Sequence, residues 1–255
     1  MSVDHRTVLV QGASRGIGLE FVRQLAARPD VGKVFATCRQ PAAAAELQAL
    51  AEAPEVGAAV ALVQLDVEDE ASIASAAERV GSEALQIDLL INCAGLLHDA
   101  SGMQPERRLS QLEPDNLLRS YAVNGMGPAL VVKHFHPLLR AGERPLVANL
   151  SARVASIGDN GLGGWYAYRA AKAAQNMFTR CMAIELGRGN RPVRVVALHP
   201  GTVDTGLSKP FQKNVPEGKL FPVSKAVAQL LNVMDELEDG VTGRFFAWDG
   251  SEIPW

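Results

Sequence analysis

Short apolar segments alternate with amphipathic helical segments along almost the whole chain, which has 255 residues. Strands that are apolar throughout and separated by helices are typical of a parallel sheet covered on both faces. Connections between such strands are almost always right-handed crossovers. The sequence therefore predicts a doubly wound α/β fold with a parallel sheet of about seven strands and helices on both faces. The predicted strands lie at 7–11, 34–37, 59–65, 87–92, 146–150, 193–198 and 243–247, and the predicted helices at 16–27, 42–52, 69–80, 113–123, 127–140, 165–187 and 223–237.

One segment, residues 206–221, interrupts this alternation. It contains Pro210, Pro216 and Gly218 together with three lysines, which is typical of a loop. A loop of this length inside a compact domain is often a lid over a binding site. Because no linker-like stretch precedes it and the length suits one large domain, we expect residues 1–255 to form a single domain with a substrate loop near 206–221.

Composition excludes several classes of partner. Hydrophobic residues make up 47% of the chain and charged residues 21%, and the net charge of −3 offers no electrostatic basis for binding nucleic acid or an anionic membrane. No apolar run reaches the roughly 18 residues of a transmembrane helix, and the polar residues 1–7 do not resemble a signal peptide. Cys38, Cys93 and Cys181 are scattered, which suits a reducing compartment and argues against disulfides and a metal site. We therefore expect a cytoplasmic protein that holds no metal.

A glycine-rich turn connects the first predicted strand to the first predicted helix. Gly12, Gly16 and Gly18 are spaced as G-x-x-x-G-x-G. Glycines at such a turn allow a pyrophosphate to lie against backbone N–H groups at the helix N-terminus, where the helix dipole favours anions. The turn follows a strand end, which is where ligands bind in open α/β sheets. The spacing alone also fits a plain strand-to-helix turn.

The end of the second predicted strand bears on the choice of cofactor. A site selective for NAD usually has Asp or Glu there, to bind the ribose 2′-hydroxyl. This chain has Ala36-Thr-Cys-Arg39 instead, and Arg15 lies in the glycine turn. Two arginines can hold a 2′-phosphate through charge-assisted hydrogen bonds, although they can also be two exposed side chains. The pair favours NADP(H), with NAD(H) as the alternative.

Tyr168 and Lys172 lie four residues apart in a predicted helix and therefore project from the same face. A phenol with a pKa near 10 is a poor acid or base at neutral pH unless a nearby cation favours the phenolate. The ammonium of Lys172 can supply that charge. The pair is a candidate for acid–base catalysis.

Taken together, these features resemble the short-chain dehydrogenase/reductase family over nearly the whole chain. The glycine turn matches the family motif, except that Gln11 stands where a threonine is usual. Several matches in the right order at strand ends are more specific than any single motif. The remaining matches are Asn92-Cys-Ala94-Gly95 after the fourth strand, Asn124 at the active-site asparagine, Tyr168 with Lys172, and Pro200-Gly201 after the sixth strand.

The resemblance implies a Rossmann-type fold with a bound nicotinamide dinucleotide. It implies that the cofactor lies against the glycine turn, the strand ends and the segment after the sixth strand. The residues that it assigns to cofactor binding are Gly12, Ser14, Arg15, Gly16, Ile17, Gly18, Arg39, Asp66, Val67, Asn92, Ala94, Gly95, Tyr168, Lys172, Pro200, Gly201, Val203 and Thr205.

Within the family, residues 166–169, 156–160 and 249–255 are similar to the C-factor and Sniffer-type carbonyl reductases. This implies an NADPH-dependent reductase of a small ketone, aldehyde or quinone. Hydride would pass from the nicotinamide to the carbonyl carbon while Tyr168 protonates the oxygen and Lys172 lowers the tyrosine pKa. Asn124 would anchor a water that relays protons to Lys172. The family commonly buries its long helices between subunits, which implies a homodimer or homotetramer.

One expected catalytic residue is replaced. The family usually has Asn-x-Ser-Ser after the fifth strand, where the second serine polarises the substrate carbonyl, and this chain has Asn149-Leu-Ser151-Ala152. Ser151 or Ser156 could substitute, and Ser151 is the preferred candidate. Because such a donor contributes roughly 10²–10³ in rate, its loss leaves a second hypothesis open. That alternative is a dinucleotide-binding signalling or regulatory protein with little turnover.

Overall fold

The computed structural model describes residues 5–53 and 57–255. Its strands are β1 Arg6–Gln11, β2 Val31–Cys38, β3 Ala59–Gln64, β4 Leu89–Asn92, β5 Leu146–Leu150, β6 Arg194–His199, β7 Thr202–Val203, β8 Leu220–Phe221 and β9 Phe245–Ala247. Seven of them form one parallel sheet in the order β3-β2-β1-β4-β5-β6-β9. The strand order changes direction between β1 and β4, and the carboxyl ends of these strands therefore border the crevice in which such sheets bind ligands.

Helices cover both faces of this sheet, as the sequence predicts. They are α1 Gly16–Ala26, α2 Ala45–Glu52, α3 Glu70–Gly81, α4 Pro114–Ser120, α5 Gly127–Ala141, α6 Tyr166–Leu186 and α7 Val223–Asp235. In the part of the chain that the structure describes, none of the helices has the length and apolar character to cross a membrane.

The two core clusters show how β1 is buried on both sides. Val8 and Val10 pack with Leu25 of α1 and Leu230 of α7 on one face of the sheet. Leu9, which points to the opposite face, packs with residues of α3, α5 and α6. The apolar run from Val8 to Val10 is thus buried on both sides, because helices cover both faces of the strand. The prediction of a Rossmann-type α/β fold with a seven-stranded sheet is confirmed.

The predicted break between helices 113–123 and 127–140 is wrong. A π-helical turn at 121–126 joins α4 directly to α5. Close packing explains the two glycines here, Gly125 within the π-helical turn and Gly127 at the start of α5. A Cβ on Gly125 would lie 3.1 Å from the main-chain oxygen of Ala171 in α6, and a Cβ on Gly127 would lie 2.8 Å from Cβ of Val67.

The segment predicted as a loop at 206–221 is partly regular. Lys209–Asn214 forms a 3₁₀ turn, and β8 pairs with β7 in a second, two-stranded parallel sheet. This pairing ties the end of the segment to the strand that follows β6. Short strands of two residues carry no recognisable periodicity, which is why the sequence did not reveal them.

Candidate functional site

The glycine turn after β1 is closely packed against itself and against the neighbouring strand end. A Cβ on Gly18 would lie 2.1 Å from the main-chain oxygen of Gly12, and a Cβ on Gly12 would lie 2.6 Å from the amide nitrogen of Ala94. Gly12 also has φ of +82°, a conformation that L side chains rarely adopt. The turn therefore brings the start of α1 beside the segment that follows β4.

The N-terminus of α1 fits an anionic ligand. Arg15 occupies the N-cap position and makes no side-chain cap hydrogen bond, and the first turn of α1 contains no acidic residue. Its N–H groups and the positive end of its dipole are thus available to a phosphate. Thr205 borders the same turn, since a Cβ on Gly16 would lie 3.5 Å from Cγ2 of Thr205. The glycine turn and the segment 200–203, which leads into β7, both lie at the carboxyl edge of the sheet. They contain the predicted cofactor residues Ser14, Ile17, Pro200, Gly201 and Val203.

Two arginines lie near the ends of β1 and β2. Arg15 is exposed and has no ion pair among the described residues, and Arg39 is exposed with its guanidinium 4.0 Å from the carboxylate of Glu68. The residues that follow β2 are Arg39 and Gln40, so no acid stands there. The carboxylate of Asp66, after β3, accepts a hydrogen bond from the Glu68 amide, and the Asp66 amide donates to Oγ of Ser72. Arg15 is thus the arginine here that has no carboxylate partner among the described residues, whereas Arg39 lies beside Glu68.

Gln11 and Asn92 hold the strand ends together. The side-chain oxygen of Gln11 accepts a hydrogen bond from the amide of Ala94, at 3.1 Å. Asn92 is buried, and its Nδ2 donates to Oδ1 of Asn149 in β5, at 2.8 Å. Asn149 in turn donates to Oγ1 of Thr179 in α6, at 2.8 Å. The side chain of Asn92 is therefore used to connect β4 with β5 and, through Asn149, with α6.

Tyr168 and Lys172 lie one turn apart on α6, as the spacing predicts. Tyr168 is half-buried, and burial raises its pKa to about 12. Lys172 is buried, and burial lowers its pKa to about 7, although a charge on the neighbouring Cys93 would oppose this. The ammonium donates to the main-chain oxygen of Leu150 at 2.7 Å and to Oε1 of Gln175 at 2.9 Å. Burial is the cause that shifts the pKa of Tyr168, so the lowering by Lys172 that the resemblance implies is not found in this arrangement. A weak acid one helical turn from a buried cation is still a pair that can donate and recover a proton.

Asn124 lies in the π-helical turn, where its side chain secures the segment after β4. Its Oδ1 accepts from the amide of Leu96 at 2.8 Å, and its Nδ2 donates to the oxygen of Leu96 at 2.7 Å and to Oγ of Ser120 at 3.1 Å. Ser120 donates to the main-chain oxygen of Ala167, the residue before Tyr168, at 3.2 Å. Asn124 is thus connected to the start of α6, and π-helical turns of this kind often occur at functional sites.

The two candidate serines are both occupied by protein contacts. Ser151 is buried, and its hydroxyl donates to Oδ1 of Asn176 in α6 at 2.7 Å. Ser156 is buried, and its hydroxyl lies 3.4 Å from the main-chain oxygen of Trp255. Since a hydroxyl carries one proton, neither serine has a free donor in this arrangement. Ala152 has no side-chain donor.

Glu106 is a site residue that the sequence did not indicate. It is buried, its Oε2 accepts from the amide of Ala167 at 3.1 Å, and its main-chain oxygen accepts from the amide of Trp165. Trp165 has φ of +52°, which is unusual for a bulky residue, and the first turn of α6 has no cap from its own N-cap side chain. Glu106 therefore holds the start of the helix that carries Tyr168. It belongs to no motif.

Aromatic side chains connect Tyr168 with the segment 206–221. The ring centroid of Trp165 lies 6.3 Å from that of Tyr168 and 5.1 Å from that of Phe211. Phe211 lies 5.9 Å from the ring of His98. Nε2 of His98 lies 3.1 Å and 3.2 Å from the main-chain oxygens of Gly206 and Leu207. His98 thus holds the beginning of this segment close to the end of β4.

Metal binding finds no support in the described part of the chain, where no group of three or more His, Cys, Asp or Glu side chains could hold an ion. The three cysteines are all free.

Comparison with known proteins gives consistent similarities. A family model described as short chain dehydrogenase matches residues 6–216. A 1-hydroxy-2-glutathionyl-2-methyl-3-butene dehydrogenase of Rhodococcus sp. (strain AD45) is 32% identical over 252 residues, which cover 98% of this chain and 99% of that protein. The C-signal protein of Myxococcus xanthus is 36% identical over 171 residues, covering 66% of this chain and 93% of that protein. The crystal structure of an NADPH-bound carbonyl reductase from chicken fatty liver has a TM-score of 0.86 and 32% identity, and covers 98% of this chain and 94% of that chain.

Proposed function

The chain belongs to the short-chain dehydrogenase family, and we propose that it is an NADPH-dependent reductase of small ketones, aldehydes or quinones. Membership makes it an oxidoreductase of the nicotinamide-dependent kind. The proposal of carbonyl reduction rests on one observation. Half-buried Tyr168 and buried Lys172 lie one helical turn apart, at the edge of the sheet where the glycine turn lies. The test is NADPH oxidation against a panel of carbonyl compounds.

The proposed cofactor site consists of the glycine turn, the N-terminus of α1 and the neighbouring strand ends. When bound, the cofactor would supply a hydride to the carbonyl carbon. The hydroxyl of Tyr168 would donate its proton to the carbonyl oxygen, which gives an alcohol and leaves a phenolate. The ammonium of Lys172 would stabilise that phenolate electrostatically. Charge on Lys172 is therefore the property of the site on which turnover depends.

Asn124 is proposed to take part in returning a proton to Tyr168 through Lys172. Both protons of its side-chain amide are already donated, to Leu96 and Ser120. A relay water would therefore be held by the main-chain oxygen of Asn124 rather than by its side chain. The π-helical turn alters the backbone hydrogen bonding at this point, which supports that proposal.

A preference for NADPH is proposed from the two arginines. Arg15 and Arg39 are both exposed at the edge where a ribose 2′-phosphate would lie, and no acid follows β2. A solved relative, the chicken carbonyl reductase, has NADPH bound. Arg39 would leave Glu68 to pair with the phosphate, since a phosphate carries more negative charge than one carboxylate.

We expect Arg39→Asp to weaken NADPH binding by about 30-fold and to change NADH binding by less than about threefold, because a charge-assisted hydrogen bond is replaced by repulsion. Dissociation constants measured by cofactor fluorescence check this. Arg191→Asp makes the same change of charge before β6, at the opposite edge of the sheet, and serves as the matched control. An unchanged ratio of the two affinities in Arg39→Asp would remove the basis for the NADPH preference.

The substrate is proposed to be a small carbonyl compound that binds under the segment 206–221. Trp165 and Phe211 form an aromatic wall beside Tyr168, and His98 keeps the segment near the site. Two relatives are named for opposite directions of the reaction, a dehydrogenase and a carbonyl reductase. Direction depends on the cofactor that the cell supplies, and we propose reduction because the arginines favour NADPH.

We expect Ala152→Ser to raise kcat/KM about tenfold, because it adds a hydroxyl donor at the position that the family uses and such donors contribute roughly 10²–10³ in rate. Ser151 can polarise a carbonyl only when its hydroxyl turns away from Asn176. Steady-state kinetics of Ala152→Ser, Ser151→Ala and Ser156→Ala separate the candidates. A loss of about 100-fold in Ser151→Ala, with no gain in Ala152→Ser, would assign the role to Ser151 instead.

A second function remains a candidate because of one relative. The C-signal protein matches 66% of this chain, and the family serine is replaced by Ala152. A dinucleotide-binding signalling or regulatory protein would bind NADP(H) tightly and show little turnover with any carbonyl compound. Efficient turnover of a carbonyl compound would remove the support for this alternative.

We further propose a homodimer or homotetramer in the cytoplasm. The helix α6 exposes large apolar side chains, with Met177 64% and Ile184 49% accessible. Burial of such side chains between copies would be favourable. The three free cysteines suit a reducing compartment.

A further inference from the structure

The ammonium of Lys172 has most of its hydrogen bonds fixed by the protein. A lysine ammonium has three donors and no acceptor. Two of the three are directed at the main-chain oxygen of Leu150, at the end of β5, and at Oε1 of Gln175, one turn further along α6. Only one donor is left for other partners. The two acceptors thus determine where the remaining N–H points.

Gln175 is an unusual residue for its surroundings. Its side chain is 1% exposed, and its Nε2 has no hydrogen-bond partner among the described residues. A buried amide with unpaired N–H groups is unfavourable, and an apolar side chain of similar size would avoid that cost. The contact of its oxygen with Lys172 is what an apolar side chain could not provide.

Gln175 is held in place by a continuous set of hydrogen bonds. Its main-chain oxygen accepts from Oγ1 of Thr179 at 2.9 Å. That hydroxyl accepts from Asn149 in β5, and Asn149 accepts from Asn92 in β4. The position of Gln175 is therefore coupled to the strand ends that border the candidate cofactor site.

We propose that Gln175 is a positioning residue for Lys172. The side-chain oxygen of Gln175 directs the ammonium of Lys172 and favours its charged form. The inference rests on the proposed function, in which a charged Lys172 supports Tyr168. An acceptor in contact with a charged donor stabilises the charged state, because the neutral amine makes a weaker bond.

The surroundings of Lys172 make this acceptor important. Burial lowers the pKa of Lys172 to about 7, so the charge is only marginally retained at neutral pH. The titratable group that acts on Lys172 is the Cys93 thiol after β4, and Tyr168 lies one turn earlier on α6. Burial raises the pKa of both the thiol and the phenol. Both are neutral at pH 7 and supply no counter-charge. The oxygens of Leu150 and Gln175 are then the groups that support the ammonium.

The test is a direct titration of Lys172 in the full chain without cofactor. Lysine labelled with ¹³C at Cε is followed by NMR as a function of pH, and the Lys172 signal is identified by its loss in Lys172→Arg. Gln175→Met removes the acceptor at similar volume, and Gln175→Glu makes it a carboxylate. Gln24→Met is the matched control, since it makes the same change at a hydrogen-bonded glutamine of α1 that does not touch Lys172.

We expect Gln175→Met to lower the midpoint of Lys172 by about one pH unit and Gln175→Glu to raise it, with no change in Gln24→Met. The high-pH limb of kcat/KM for carbonyl reduction should move in the same directions. Identical titration midpoints of Lys172 in wild type and Gln175→Met would overturn the proposal. A difference in Tm between the two proteins would then show only that Gln175 contributes to stability. The midpoints could move as expected while the wild-type protein fails to oxidise NADPH with any carbonyl compound tested. In that case the proposed function fails and the role of Gln175 stands.

Discussion

Replacement of Tyr168 by Phe is expected to lower kcat for carbonyl reduction by about 10³-fold, because general acid catalysis by a positioned side chain typically contributes 10²–10⁴. The phenyl ring preserves the packing against Trp165, whose ring centroid lies 6.3 Å away. Only the proton donor is lost. NADPH binding should therefore stay within about threefold of wild type, since the tyrosine contributes one hydroxyl among many contacts.

Tyr166→Phe is the matched control for this experiment. Tyr166 lies two residues earlier on the same helix, and it projects in a different direction and is exposed. Its substitution should leave kcat within about twofold, as is usual for surface changes. Equal rates for wild type and Tyr168→Phe would show that another group supplies the proton, and the assignment of the acid would be withdrawn.

Gly18→Ala is expected to have the largest effect on cofactor binding. The added Cβ would lie 2.1 Å from the main-chain oxygen of Gly12 and 2.8 Å from its carbonyl carbon. Backbone atoms cannot rotate away as a flexible side chain can, so the glycine turn must open. We expect a loss of about 3 kcal/mol in unfolding free energy, a fall of roughly 10 °C in Tm, and NADPH binding weakened by more than about 100-fold.

Gly161→Ala controls for the change of glycine to alanine itself. No heavy atom lies within 4 Å of a Cβ at that position, so a methyl group there meets open space. Both Tm and the NADPH dissociation constant should stay close to wild type. Calorimetry and cofactor fluorescence measure the two quantities separately. Wild-type affinity in Gly18→Ala would mean that the turn is a structural connection and that the cofactor lies elsewhere.

Local patterns accounted for the features that depend on neighbours in sequence. The apolar strands follow from residues such as Val8, Leu9 and Val10, which are buried alternately on the two faces of the sheet. The Tyr168–Lys172 spacing predicts one helical face whatever the rest of the chain does. The glycine turn is equally local, because Gly12 and Gly18 contact each other.

Contacts between residues that lie far apart in the chain could not be predicted from local sequence patterns. Glu106 accepts a hydrogen bond from the amide of Ala167, which lies 61 residues later in the chain, and no motif marks Glu106. The hydroxyl of Ser151 is directed by Asn176, 25 residues later, and a sequence does not reveal such an orientation. Gly127 begins α5, and its lack of a side chain is explained by Val67, which lies too close to leave room for a Cβ. Tertiary packing decided each of these cases.

In the proposed function, the chain transfers hydride from NADPH to a carbonyl carbon with Tyr168 as the acid. The direct measurement uses NADPH in which both hydrogens at nicotinamide C4 are deuterium, with a panel of ketones and aldehydes, and analyses the products by mass spectrometry. We predict an alcohol that carries one deuterium on the former carbonyl carbon with wild type, and almost none with Tyr168→Phe. Tight binding of the labelled NADPH without any deuterated product across the panel would contradict the account and favour a regulatory dinucleotide-binding protein.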